Sequence, residues 1–150
     1  LLGRVEDGVK GDLERMASAK SGEWMKLLGE KGHDDVLREM LSCDLFVFPS
    51  YTEGFPNVIL EAMACGAPII TTGVGAIPEI LDEGTDSPCG VIVPVKDAKN
   101  LLVAVEAFLD DEDAKKNHSS RAQEKVKVAY AAPIVWKQLS SAWRSAVDKK

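Results

Sequence analysis

Residues 44–80, DLFVFPSYTEGFPNVILEAMACGAPIITTGVGAIPEI, decide how this chain folds. The apolar run Leu45 to Phe48 reads as a strand, because an uninterrupted apolar stretch of that length is what a parallel sheet covered on both faces by helices requires. A turn containing Gly54 and Pro56 follows. Pro56 to Cys65 reads as a short helix, stopped by Gly66 with Pro68 just beyond. Ile69 to Thr72 is then a second apolar strand. Strand, turn, helix and strand in this order are how a parallel α/β sheet builds a crevice at the carboxyl ends of its strands.

The rhythm extends outward in both directions. Upstream, Leu1 to Val5 reads as the end of a strand, Asp7-Gly8 as a turn, and Asp12 to Lys20 as a helix with apolar spacing at Leu13, Met16 and Ala17. Trp24 to Leu28 reads as a short strand closed by Gly29. A helix follows from Asp34, its N-cap, with Val36, Leu37, Met40 and Leu41 on one face. Downstream, Ile77 to Leu81 is a helical turn and Val91 to Val93 a strand. Asp97 to Leu109, Glu112 to Tyr130 and Ile134 to Val147 are helices by period. The fold class is therefore α/β: a doubly wound, Rossmann-like, mostly parallel sheet with helices on both faces and a helical C-terminal tail.

Composition narrows the function classes. The chain has 150 residues, 45% of them hydrophobic, enough to bury one core. A net charge of −6 offers no cationic surface for a nucleic-acid backbone, so nucleic acid is not expected as a partner. Cys43, Cys65 and Cys89 are an odd number with no C-x-x-C pair, which fits a reduced, cytoplasmic compartment. Cys65 reads as a small apolar filler and not a nucleophile. His33 reads as a loop residue and His118 as a helix-surface residue, too far apart in sequence to start a metal site. No apolar run approaches the length of a membrane span, and the first residues, LLG, read as a chain starting inside a larger protein.

The central turn carries the chemistry. Gly54 has no Cβ, so a ligand can approach its backbone, and Pro56 has φ already set for a helical start. The N–H groups that open the helix, with the positive end of the helix dipole behind them, suit a phosphate. Glu61 lies four residues after Asn57 on the same face, with its Cα–Cβ bond tilted back toward the helix start, where its carboxylate can accept from a vicinal diol. Glu53, on the loop, can address hydroxyls on the other side of the phosphate. A glutamate in the first helical turns is also stabilised by the dipole with no ligand present, and Glu before Gly is ordinary turn composition. Spacing alone leaves both readings open.

Leu41 to Ile80 closely resembles the donor-binding domain of the retaining family 4 glycosyltransferases (glycosyl transferases group 1), which have the GT-B fold. Glu53 and Glu61 fill that family's E-x7-E signature. The flanking PSYTEGFPNVILEAMACGAPIITT and GAIPEI also resemble the family's pattern, as do VEDGVKGDLERM upstream and the Trp-bearing helix in YAAPIVWKQLSSAW. The resemblance implies a retaining glycosyltransferase that binds a nucleoside diphosphate sugar and transfers its glycosyl group to an acceptor hydroxyl, with no metal and no other cofactor. Glu53 would be the catalytic residue contacting the transferred sugar, Gly54, Phe55 and Pro56 would line sugar and diphosphate, and Asn57 and Val58 would sit beneath the diphosphate. Glu61 would hold the ribose, and Leu28, Gly29 and Glu30 would border the base through main-chain groups.

Two departures from the pattern shape the domain reading. Glu6 stands where the family has the first Gly of a G-x-G turn, and the family's first strand with its cationic clamp has no counterpart before Leu1. The expectation is half of a GT-B fold apparently lacking its first strand. Residues 1–132 would be an incomplete donor domain, and residues 133–150 a helix crossing to a missing N-terminal acceptor domain. The fragment alone is expected to be inactive. The whole protein is expected to be cytoplasmic, with peripheral association at the inner membrane face left open. The alternatives in play are a non-catalytic nucleotide-sugar-binding module and a GT-B-like epimerase or phosphorylase. The EGFPN turn favours the transferase.

Overall fold

A computed structural model describes residues 7–18 and 25–147. The chain divides into two compact units, residues 1–39 and residues 40–150.

The first unit contains α1 (Asp7–Ser18) and the start of α2 (His33–Ser42). The strand expected at Leu1 to Val5 lies outside the described residues. The expected Asp7-Gly8 turn is instead the beginning of α1, and that helix ends at Ser18, short of Lys20. Gly8 and Gly11 lower helix propensity but keep their N–H groups, so the backbone ladder runs through them. Met16, expected on the apolar stripe, is exposed. Residues 25–28 form no strand, and Gly29 alone makes an isolated bridge. Helix α2 begins at His33, not after an Asp34 cap, because the Gly32 carbonyl accepts from the N–H groups of Asp35 and Val36 and starts the ladder two residues early.

The second unit is built on three parallel strands, β1 (Phe46–Phe48), β2 (Ile69–Thr72) and β3 (Val91–Val93), in the order β1-β2-β3. Phe46 pairs with Ile69, and Ile70 with Val91. All four β2 residues are buried although successive side chains point to opposite faces, so both faces of the central strand are covered. Strand β1 departs from the same expectation. Val47, on the face opposite Phe46 and Phe48, is 37% exposed, so cover on that face stops short of β1.

Helix α3 (Asn57–Cys65) connects β1 to β2, and the short α4 (Ile77–Ile80) precedes β3. Ile59, Ala62 and Met63 of α3 are fully buried, each larger side chain contributing about 1.5–3 kcal/mol of transfer free energy. Helix α5 (Ala98–Leu109) lays Leu101, Ala104, Val105 and Phe108 against Ile70 and Val93. It begins at Ala98 because Asp97 is its N-cap, accepting from the Asn100 N–H at 2.9 Å. Lys115, within the charged run Asp110 to Lys116, is buried. Its Nζ donates to the Leu109 carbonyl at 3.0 Å, closing the C-terminal end of α5.

The helix expected over Glu112 to Tyr130 is α-helical only as α6 (Glu112–Lys125); Val126–Tyr130 follows as a π turn. Pro133 has no N–H to donate to the carbonyl of Ala129, so the ladder cannot continue, and Ala131 is extended. A new helix, α7 (Ala132–Val147), starts two residues before the expected Ile134, with the Ala131 carbonyl accepting from Ile134 and Val135. Trp136, Leu139 and Trp143 on α7 are 69%, 55% and 71% exposed. Among the described residues no helix is long and apolar enough to cross a membrane.

His118, expected on the helix surface, is half-buried. It stands edge-on to Phe108 with ring centroids 5.3 Å apart, and its Nδ1 is buried with no hydrogen-bond partner among the described residues. Burial first, and Arg121 second, push its pKa below the ordinary 6.5, against the opposing pull of the Gly90 carbonyl and Asp111. The unfolded chain therefore binds a proton that the folded chain refuses. Stability is complete above the ordinary histidine value and falls as pH drops from there toward the lowered one. In denaturant unfolding over that window, His118→Gln is expected to flatten the slope; an unchanged slope would assign it to other groups.

Gly66 ends α3 in the left-handed region at φ 73°, where Ala67 donates to Ala62 and Gly66 to Met63. A Cβ there would also stand 2.7 Å from Nε2 of Gln123. Gly66→Ala is expected to lose about 1–2 kcal/mol in urea unfolding from backbone strain alone; a neutral result would show that α3 does not need this cap.

Candidate functional site

The residues from the end of β1 into α3 form one continuous surface at the carboxyl end of the sheet. Strand β2 holds it from beneath through side chains: Thr71 donates to the Phe48 carbonyl at 2.7 Å, and the Thr72 hydroxyl donates to the carbonyl of Ser50. Ser50 in turn donates through Oγ to Oε1 of Glu53 at 2.7 Å, fixing a half-buried carboxylate. Thr71, Thr72 and Ser50 are not among the residues singled out by sequence reasoning. The hydroxyls in PSYTE and IITT were the available signal.

The turn after β2 secures the next two residues. Ala76 N–H donates to the Gly54 carbonyl at 3.0 Å. Gly75, at φ 57°, lies so close that a Cβ would stand 2.3 Å from the Glu53 oxygen and 2.6 Å from that of Gly54. Only glycine lets the two turns meet at this distance.

Phe55 is 52% exposed and leans on Tyr130, with centroids 6.2 Å apart, so the π turn after α6 supports the loop from a third side. Pro56, expected inside the first helical turn, is instead the N-cap of α3, buried and extended at φ −78° and ψ 102°. The ring fixes φ but not ψ, and the extended ψ delays the helix to Asn57. No side chain caps α3 and its first turn holds no acidic residue. By contrast, α2 begins with Asp34 and Asp35, α5 is capped by Asp97, and α6 is capped by Asp111 with Glu112 and Asp113 behind it. The positive end of α3 is thus left unneutralised by its own sequence.

Asn57 is exposed and Val58 half-buried at this helix start, and Glu61 is half-buried one turn further in. Cys65 follows Glu61 by four residues, and burial, then Glu61, raise its thiol pKa, which keeps it protonated and a poor nucleophile. Glu53, Gly54, Phe55, Pro56, Asn57, Val58 and Glu61 are therefore brought together on one loop and helix. Leu28, Gly29 and Glu30 belong to the first unit, where Leu28 and Gly29 are half-buried and Glu30 is exposed.

Residues 10–125 match the family model for glycosyl transferases group 1. The chain belongs to that family. It is 38% identical over 98 residues to the lipopolysaccharide core biosynthesis mannosyltransferase LpsB of Rhizobium meliloti, a match covering 65% of this chain and 27% of LpsB. Sucrose-phosphate synthase from Thermosynechococcus elongatus superimposes with a TM-score of 0.82 at 23% identity, over 100% of this chain and 38% of the synthase. Anabaena HepE in complex with UDP and glucose superimposes with a TM-score of 0.80 at 22% identity, over 97% of this chain and 40% of HepE. The fold is that of the C-terminal half of a GT-B glycosyltransferase. The chain spans about a quarter of the length of the curated relatives it matches.

The bracing makes two side chains diagnostic. Gly75→Ala must push the Glu53–Gly54 backbone away, and Ser50→Ala releases the Glu53 carboxylate without moving the backbone. Both variants are expected to keep near-native circular dichroism. In crystal structures the first is expected to displace the main chain at Glu53 and Gly54, the second only the Glu53 side chain. An undisturbed turn in Gly75→Ala would refute the brace.

Proposed function

We propose that the second unit forms the donor site of a retaining glycosyltransferase, holding a nucleoside diphosphate sugar for transfer to an acceptor hydroxyl supplied by an N-terminal domain. The observation that carries this reading is the start of α3, uncapped and without acidic residues while its neighbours α5 and α6 are capped, flanked by the half-buried carboxylates of Glu53 and Glu61.

In this reading the diphosphate lies against the N–H groups of Asn57 and Val58. Charge grows on the diphosphate as the glycosidic bond breaks, and N–H donors already aimed at it stabilise that charge without reorganising. Glu61 accepts from the ribose hydroxyls, and Glu53, oriented by Ser50, accepts from hydroxyls of the transferred sugar and serves as the catalytic residue. Gly54 lets the ligand approach the main chain, and Phe55 and Pro56 form the wall. The chemistry asks for no metal and no further cofactor. HepE, described in complexes with UDP-glucose and with UDP and glucose, supports the ligand class.

The exposed tryptophans of α7 support residues 133–150 as the segment that crosses to the acceptor domain. Three free cysteines support a cytoplasmic location, including the inner face of the membrane.

A thermal-shift screen of the full protein with UDP-, GDP- and ADP-sugars is expected to give a hit. Glu61→Ala is expected to weaken that hit tenfold or more, since hydrogen bonds to a charged group contribute about 1.5–3 kcal/mol. Glu53→Gln is expected to lose transfer while retaining binding, and the 150 residues alone are expected to transfer nothing. No hit with any donor, or a Glu61→Ala variant that binds as well as the parent, would overturn the assignment.

A further inference from the structure

Helix α5 is apolar on the side that faces away from the core as well as on the side that packs against Ile70 and Val93. A surface helix ordinarily has one apolar stripe toward the core and charged residues opposite. Here Leu102 and Val103 are 56% and 54% exposed, Leu109 is exposed too, and from Leu101 to Leu109 the one charged residue is Glu106. A helix apolar all round belongs in an interior, so this outer face calls for cover.

The charges on this face identify the cover. Lys99 and Glu106, both exposed, stand two turns and roughly 10 Å apart along one side of the helix, with Leu102 and Val103 midway between them. Among the described residues neither is in an ion pair. A two-fold axis through that midpoint, perpendicular to the helix, lays a second α5 antiparallel on the first. Lys99 then meets the partner's Glu106 and Glu106 the partner's Lys99, one pair on each side of an apolar centre. Leu109 comes to the partner's Val95, which is exposed just before α5. A parallel arrangement would oppose like charges, and an unrelated partner gives no reason for this reciprocal spacing.

We propose that the outer face of α5 is the contact of a two-fold symmetric dimer, covered by the same helix of a second copy of this protein in antiparallel orientation. Burial of Leu102 and Val103 supplies the attraction, while the Lys99–Glu106 pairs, weak singly because they are exposed, set the orientation. One pair of 12-residue helices makes a smaller contact than a standard interface of roughly 800 Å² per partner, so a dimer in rapid exchange is expected, with Kd on the order of 10–100 µM. The inference does not rest on the nucleotide-sugar reading, and its test contains no nucleotide.

The test is sedimentation velocity of the full protein over concentrations that span this Kd, where a monomer–dimer equilibrium is expected. Leu102→Glu, at an exposed position, is expected to give monomer with native circular dichroism. Lys99→Glu and Glu106→Lys are each expected to raise Kd about tenfold, since each turns two opposite-charge contacts into two like-charge ones. The double variant, with both pairs reversed, is expected to return Kd to near that of the parent, and an equimolar mixture of the two single variants to form the heterodimer. A full protein that stays monomeric, a dimer that Leu102→Glu leaves intact, or a double variant as weak as the singles would overturn the proposal, the last by showing that Lys99 and Glu106 do not face each other across the contact.

Discussion

Two turns pressed together hold this site in place. The β1–α3 turn carries both Glu53 and the start of α3, and it is fixed by the β2–α4 turn, where Gly75 passes within a missing Cβ of the Glu53 carbonyl and Ala76 binds the Gly54 carbonyl. The contact needs β1 and β2 in parallel register, because only then do both strands deliver their following turns to the same edge. It also needs the threonines ending β2, whose hydroxyls reach across to Phe48 and Ser50. The hydrogen-bond chain from Thr72 through Ser50 to Glu53 thus begins inside the buried central strand and ends on a carboxylate at the surface. A loop is ordinarily the least rigid part of a fold; this one borrows the rigidity of β2.

The same arrangement explains why α3 can leave its positive end unneutralised. An uncapped helix start costs stability, on the order of 1 kcal/mol compared with a capped one. Burial of Ile59, Ala62 and Met63 offsets that cost many times over. Helices α5 and α6, by contrast, have caps from Asp97 and Asp111.

Much of this was legible in residues 44–80. The strands at Ile69–Thr72 and Val91–Val93 coincide with their sequence reading, because short apolar runs between turn residues leave little choice of register. The turn between β1 and α3 was equally readable, since Gly54 and Pro56 each state a local constraint. The failures have local causes as well. Gly8 and Gly11 invite a turn that the surrounding ladder overrides. The break at Ala131 follows from a missing proline N–H, while an unbroken apolar period hides it. His118 looks solvated beside KKN and SS, yet it meets Phe108, ten residues earlier on another helix. The support for Glu53 escaped notice for a similar reason: Ser50, Thr72 and Gly75 act through contacts between segments, which periodicity does not register.

A crystal structure of the full protein with an intact nucleoside diphosphate sugar would test the account most directly. The account requires phosphate oxygens within hydrogen-bond distance of the Asn57 and Val58 N–H groups, with the ribose on Glu61 and the sugar on Glu53. A diphosphate bound elsewhere, with the start of α3 facing only solvent, would contradict it.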